Sequence, residues 1–165
     1  MDFSSVKGKV AIVTGASRGI GEAIAKIFGE NGMKVVCAAR SVEQGQAVAD
    51  AICADGGDAV FIQTDCSDVS QIKNLVDKTV EHYGKLDGIV SNAGIGQGGS
   101  PLHEYEMEDY DKIFALNSKG VFAGMKYGRI SDKCRVNCRN HTAAWAGTLY
   151  CNEAWRCRYD KGGCT

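Results

Sequence analysis

The sequence predicts a doubly wound α/β fold built on a parallel sheet, and three observations carry that expectation. Short β-branched runs alternate with segments of helical periodicity. The first such run ends in a glycine-rich turn that leads straight into a helix, and each helical segment is long enough for a right-handed crossover between parallel strands. The pattern holds over residues 1–128, where it supplies four strands and their helices. It fails over residues 129–165, so the expected fold is incomplete and followed by an irregular tail.

The elements follow in order. Lys9–Thr14 (KVAIVT) is a short β-branched run ending at a glycine, as a buried parallel strand would. Ile20, Ala23, Ile24, Ile27 and Phe28 recur at helical spacing until Asn31-Gly32 stops them. Lys34–Ala39 (KVVCAA) reads as the second strand, and Ser41-Val-Glu-Gln44 as a capping box opening a helix that runs to about Asp55. Ala59–Gln63 is the third strand. Asp68-Val-Ser-Gln71 caps a further helix, with Ile72, Leu75, Val76, Thr79, Val80 and Tyr83 in one stripe. Leu86–Ser91 is the fourth strand, and a glycine-rich loop, Gly94–Ser100, separates it from a long helical segment over about Met107–Met125.

Composition narrows the function classes. With 165 residues, 44% apolar, 24% charged and net charge −1, the chain suits one globular domain and excludes a collagen, a charged disordered tail or a strongly basic nucleic-acid binder. Apolar runs such as Val10–Val13 are too short to span a bilayer, and the lysines near the start precede no apolar stretch of the secretory kind. The expectation is a cytoplasmic protein without nucleic-acid or membrane partners. Charge is unevenly spread, however. Residues 1–128 hold 12 Lys and Arg against 17 Asp and Glu, whereas residues 129–165 hold 7 against 3. That second stretch also contains five of the eight cysteines, both tryptophans and five of the seven arginines.

The candidate chemistry begins at Thr14-Gly-Ala-Ser-Arg-Gly-Ile-Gly21. Gly15 permits the tight turn, Gly19 lets a pyrophosphate approach the backbone, and Gly21 lets the helix lie close to the sheet, with its N-terminal amides facing the phosphates. Glycine turns also serve packing alone. Here a strand precedes and a helix follows, which is the context that a phosphate cradle requires.

These residues resemble the short-chain dehydrogenase/reductase family. TGASRGIG is similar to its cofactor motif, and Asp65 ends the third strand where that family contacts adenine. Ser91-Asn-Ala-Gly94 is similar to the family's Asn-Asn-Ala-Gly with serine in the first place. Asn117, in NSKG, matches its structural and proton-relay asparagine. The resemblance covers roughly residues 7–128. It implies a cofactor site formed by Gly15, Ser17, Arg18, Gly19, Ile20, Gly21, Arg40, Asp65, Cys66, Asn92, Ala93 and Gly94, with Asn117 as the one catalytic position present. An acidic residue at the end of the second strand would bind the ribose of NAD; that slot is Ala39, followed by Arg40. Arg18 is the second cation that NADP-dependent members present, so NADP(H) is expected over NAD(H). The plainer reading of both arginines is solvated surface charge.

The family moves a hydride between nicotinamide and a carbonyl or secondary alcohol, with a tyrosine as general acid/base and a lysine four residues on lowering its pKa. None of the six tyrosines here has lysine at that spacing. Residues 129–165 also show neither strand alternation nor a helical stripe. Shifting the reading frame by one nucleotide changes this. The stretch from Leu149 then permits Tyr-Thr-Ala-Thr-Lys-His-Gly-Val-Val-Gly-Met-Thr-Lys, and Lys133–Arg139 permits Asn-Val-Ala-Ser-Thr-Ala, with serine and tyrosine thirteen codons apart. The expected organisation is therefore an NADP-binding half over 1–128 and an out-of-frame Cys/Arg/Trp-rich tail over 129–165.

Rival readings of the tail remain. Cys134, Cys138, His141, Cys151, Cys157 and Cys164 offer soft zinc ligands, though in irregular intervals without paired C-x-x-C knuckles. The expected function is an oxidoreductase acting on a small-molecule secondary alcohol or ketone, with a hydroxysteroid or bile acid as the specific substrate. The parent protein would be a homo-oligomer. The chain as written is expected to be inactive, weak in binding nucleotide and aggregation-prone; the alternatives are a non-catalytic nucleotide-binding fragment and a zinc-binding or interaction module in the tail.

Overall fold

A computed structural model of the chain describes residues 4–96 and 101–128. Four strands, β1 (Val10–Thr14), β2 (Lys34–Ala39), β3 (Asp58–Gln63) and β4 (Gly88–Val90), form one parallel sheet in the order β3-β2-β1-β4. The order reverses direction at β1, as in a doubly wound fold. Among the described residues β4 pairs only with β1.

Period-two alternation along the strands divides the core between two faces. Ala11, Val13, Val35 and Cys37 pack against Ala25 of α1 (Gly19–Glu30) and Val48, Ala49 and Ile52 of α2 (Val42–Ala54). Val10, Ile12, Val36 and Ala38, from the intervening positions, pack against Leu75 and Val76 of α3 (Val69–Tyr83). A third cluster, Cys66, Ile72, Leu116 and Ala123, joins α3 to the last helical stretch near the carboxyl ends of the strands.

Several local expectations change in the folded chain. On α1 the buried positions are Gly21, Ala25 and Gly29, while Ile20 and Ile27 are 61% and 51% exposed. The helix lies so close to its neighbours that small residues must face inward; a Cβ at Gly29 would run into Ile52 Cγ2. Ile24 and Phe28 fill the flanks. Ser41 precedes α2 as expected, but its side chain makes no capping hydrogen bond. The site is exposed, so water can serve the first-turn amides. Asp68 does cap α3, its carboxylate accepting from the Ser70 N–H at 2.8 Å, and Gly84 at φ +76° ends that helix in the left-handed region. Val80 of the expected stripe faces solvent.

The long helix expected over 107–125 is three pieces. Those are α4 (Met107–Phe114), a π-helical segment (Ala115–Gly120) and α5 (Val121–Tyr127). β4 is shorter than expected, with Leu86 and Ser91 buried just outside it. No helix among the described residues is long and apolar enough to cross a membrane. The division at residue 128, the zinc-ligand set from Cys134 to Cys164 and the displaced-frame stretches all concern residues 129–165, outside those described.

Candidate cofactor site

Parallel strands all end on one side, so the turns that follow them converge there. The β1–α1 turn brings Gly15, Ser17, Arg18, Gly19, Ile20 and Gly21 to that side, and Arg40 follows β2. Asp65 and Cys66 follow β3; Asn92, Ala93 and Gly94 follow β4.

Gly15 and Gly19 have φ of +67° and +60°, a region that side-chain-bearing residues rarely adopt. Their surroundings differ. A Cβ at Gly15 would sit 3.0 Å from both Ala93 Cα and Asn92 Nδ2, so that glycine is needed for packing. A Cβ at Gly19 would meet no atom within 4 Å, so the open space beside it faces away from the protein. Gly21 is buried, and a Cβ there would collide with the Gly15 carbonyl oxygen. The turn is therefore closed on the sheet side and open at Gly19, beside amides of the first helical turn that have no intrahelical partner. That is the cradle a diphosphate requires.

Asn92 and Thr14 lock this turn to the end of β4. The Thr14 hydroxyl donates to the Val90 carbonyl at 3.1 Å and accepts from the N–H groups of Asn92 and Ala93, each at 3.0 Å. The Asn92 Nδ2 donates to the Thr14 carbonyl at 3.0 Å. Thr14 is only 8% exposed, and a hydroxyl with three partners there joins two strands that are 76 residues apart in the chain. Sequence reasoning reached Asn92 but passed over Thr14. The available signal was a polar residue closing an otherwise apolar buried strand.

Charge is arranged around the opening. Arg18 precedes α1 in extended backbone and is exposed, as is Arg40; neither guanidinium is held in an ion pair among the described residues. Asp65 accepts from the Ser67 N–H at 2.9 Å and the Ser67 hydroxyl at 2.7 Å, and these bonds hold its carboxyl below the usual range, helped by the charge of Arg40. Beside it, burial pushes the Cys66 thiol up to about 11, with the Asp65 charge adding to the effect, so it behaves as a small apolar group at neutral pH. Ile20 stands exposed at the mouth.

Asn117 lies in the π-helical segment and reaches a different strand end. Its Oδ1 accepts from the Ile95 N–H at 3.0 Å while its Nδ2 donates to the Ile95 carbonyl at 2.7 Å. Ile95, which sequence reasoning did not single out, is thus the residue through which the asparagine holds the loop after β4. The segment fits closely here, since a Cβ at Gly120 would strike the Cys66 carbonyl oxygen. Thr14, Cys66, Ser91, Ala93, Gly120 and Gly124 line a small cavity beneath the site.

Comparison with known proteins fits this geometry. A family model described as short chain dehydrogenase matches residues 9–128. Elsinochrome reductase 1 of Elsinoe fawcettii is 47% identical over 123 residues, covering 74% of this chain and 46% of that protein. A metagenomic short-chain oxidoreductase solved in complex with NADP aligns with a TM-score of 0.72 at 40% identity, covering 75% of this chain and 56% of that one. A short chain dehydrogenase from Burkholderia cenocepacia, also solved with NADP, gives 0.71 at 40% identity, covering 74% and 50%. The chain spans about half the length of the relatives it matches.

Proposed function

The chain belongs to the short chain dehydrogenase family, and from that membership we propose that its described residues hold NADP(H) and serve hydride transfer between this nucleotide and a secondary alcohol or ketone. One observation carries the cofactor reading: an open glycine cradle at a helix N-terminus with two exposed, unbridged arginines on its rim. Gly19 and the first amides of α1 would face the diphosphate, and Arg18 and Arg40 the phosphate on the adenosine ribose. Ala39, with no carboxylate to offer a ribose hydroxyl, favours the phosphorylated nucleotide over NAD(H).

When bound, the nucleotide supplies or takes up the hydride. This chain's own residues bind and orient. Thr14 and Asn92 fix the turn against the sheet, Asp65 and Cys66 border the adenine side, and Asn117 holds the loop at Ile95. The acid/base step needs a tyrosine whose pKa is lowered by a neighbouring lysine, and no Tyr-x-x-x-Lys occurs among these residues. We therefore assign the chain as written to nucleotide binding without turnover, which is the second reading that a specific observation favours. Within the reading as an oxidoreductase, a hydroxysteroid or bile acid is the specific substrate proposed, and the cytoplasm the proposed location.

Titrating the purified chain with NADPH and NADH tests this. NADPH should bind at least about tenfold more tightly, a difference of ~1.4 kcal/mol, close to the lower end of what one hydrogen bond to a charged group contributes. R18A/R40A should remove that preference while leaving NADH binding unchanged. Equal affinity for both nucleotides would overturn the NADP assignment. Steady oxidation of NADPH with a panel of ketones, bile-acid ketones included, would overturn the assignment to binding alone.

A further inference from the structure

We infer that residues 129–165 are encoded by the correct gene read one nucleotide out of frame, and that the neighbouring frame carries the acid/base residues that the first 128 lack. The character of the chain changes after residue 128. The family match stops at residue 128. Up to that residue the chain belongs to the core: Tyr127 packs against two of the core clusters, and the buried Gly128 lies so close to Ile89 that an added Cβ would stand 2.6 Å from its Cδ1. Immediately afterwards the charge balance reverses and Cys, Trp and Arg become abundant.

The genetic code explains that abundance. In the displaced frame each codon takes the last two bases of one residue and the first base of the next. Cysteine, TGT or TGC, then always yields Val or Ala, and tryptophan, TGG, always yields Gly. Arginine yields Val, Ala, Gly, Asp or Glu. Cys134, Cys138, Cys151, Cys157 and Cys164 all become Val or Ala, and Trp145 and Trp155 become Gly. Those are the residues of buried parallel strands and closely packed helices, as in β1 (VAIVT) and β2 (KVVCAA). A tail rich in Cys, Trp and Arg is the displaced image of an ordinary α/β segment.

Individual positions sharpen the inference. The codon across Glu153 and Ala154 can encode only Lys or Arg. Four codons earlier, the one across Leu149 and Tyr150 has the form T-N-T, which admits Tyr together with Phe, Ser and Cys. The codon across Val136 and Asn137 has the form T-N-A, which is Ser, Leu or a stop. A serine there would stand thirteen codons before the tyrosine. The frame thus permits a Tyr-x-x-x-Lys pair and an upstream serine, the residue types that general acid/base chemistry on a carbonyl requires.

The inference rests on family membership and not on the cofactor reading, so the two fail separately. Its test is to sequence the transcript and the genomic DNA from codon 110 to well past codon 165. The expected result is a displaced frame that stays open throughout, with TCA across Val136/Asn137, TAT across Leu149/Tyr150 and AAG across Glu153/Ala154. A stop in that frame, or a different residue at the tyrosine or lysine codon, would overturn it. NADPH titration of the chain reads the cofactor assignment independently of either result.

Discussion

Asn117 makes two hydrogen bonds to one residue, and only a carboxamide can make both. Its oxygen takes the Ile95 N–H and its nitrogen serves the Ile95 carbonyl. Aspartate has the same shape but no donor when ionised, so in N117D the Ile95 carbonyl would face a carboxylate. We expect N117D to cost about 1–3 kcal/mol. In urea titrations it should lower the unfolding midpoint, and amide exchange should rise at Ile95; unchanged exchange there would show that the loop is held by other contacts. The conformational need for glycine at 15 and 19 was readable in the sequence, because glycines in a strand–turn–helix context have few uses. Thr14 was less readable, since its value lies in three bonds, one to Val90 of β4 and two to Asn92 and Ala93 just after it, that local sequence does not contain.

Elements show where periodicity informs and where it misleads. All four strands and the first three α-helices were anticipated, whereas the short 3-10 helices at Ser4–Val6 and Leu102–Glu104 were not, the last helix came as three pieces, and the inward face of α1 was displaced. Branched apolar residues at 20 and 27 suggested the core side, while contact distance selected Gly21, Ala25 and Gly29. Periodicity records which residues repel water; it does not record how close two elements must come. The π-helical segment was unreadable for a similar reason, because its extra residue per turn is imposed by the fit of Gly120 against Cys66 and of Asn117 against Ile95. The two glycines of this region should respond oppositely to alanine. At Gly124 a Cβ would meet only the Ser91 Oγ at 3.8 Å, an ordinary contact in the small cavity, so G124A should stabilise the chain by ~0.5–1 kcal/mol. At Gly120 the Cβ would meet a backbone oxygen that cannot swing away, so G120A should destabilise by about 1–3 kcal/mol. Thermal unfolding of the two variants checks the contrast, and a shift of the same sign for both would count against the described packing of α5.

For the whole molecule, acid is the informative variable. Asp87 accepts from the Val10 N–H at 2.9 Å and pairs with Lys85 at 3.0 Å, tying the start of β1 to the residues before β4. Burial works to raise its pKa, but the Val10 N–H and the Lys85 ammonium together outweigh it and leave the carboxyl lowered. Asp65 is lowered as well, by the Ser67 N–H and hydroxyl. A carboxyl lowered by folding contributes stability above its unfolded pKa of about 3.9 and loses it as pH falls through the folded value. Urea midpoints should therefore hold steady from pH 7 to about 5 and fall below about 4. D87N should be less stable than the parent at pH 7 and show a shallower acid fall. An acid profile identical to the parent's would mean that Asp87 is not perturbed.

By itself the sequence determined the fold class, the order of four strands and their helices, the glycine turn and the break in character after residue 128. These are properties of periodicity, turn chemistry and composition, all of which act over short stretches of chain. Only the tertiary structure decided which face of α1 turns inward, that Gly15 is closed while Gly19 is open, and that Thr14 and Asn117 work by gripping residues 76 and 22 positions away. Those outcomes depend on distances between segments remote in sequence, and such distances exist only once the sheet has assembled and drawn its strand ends together.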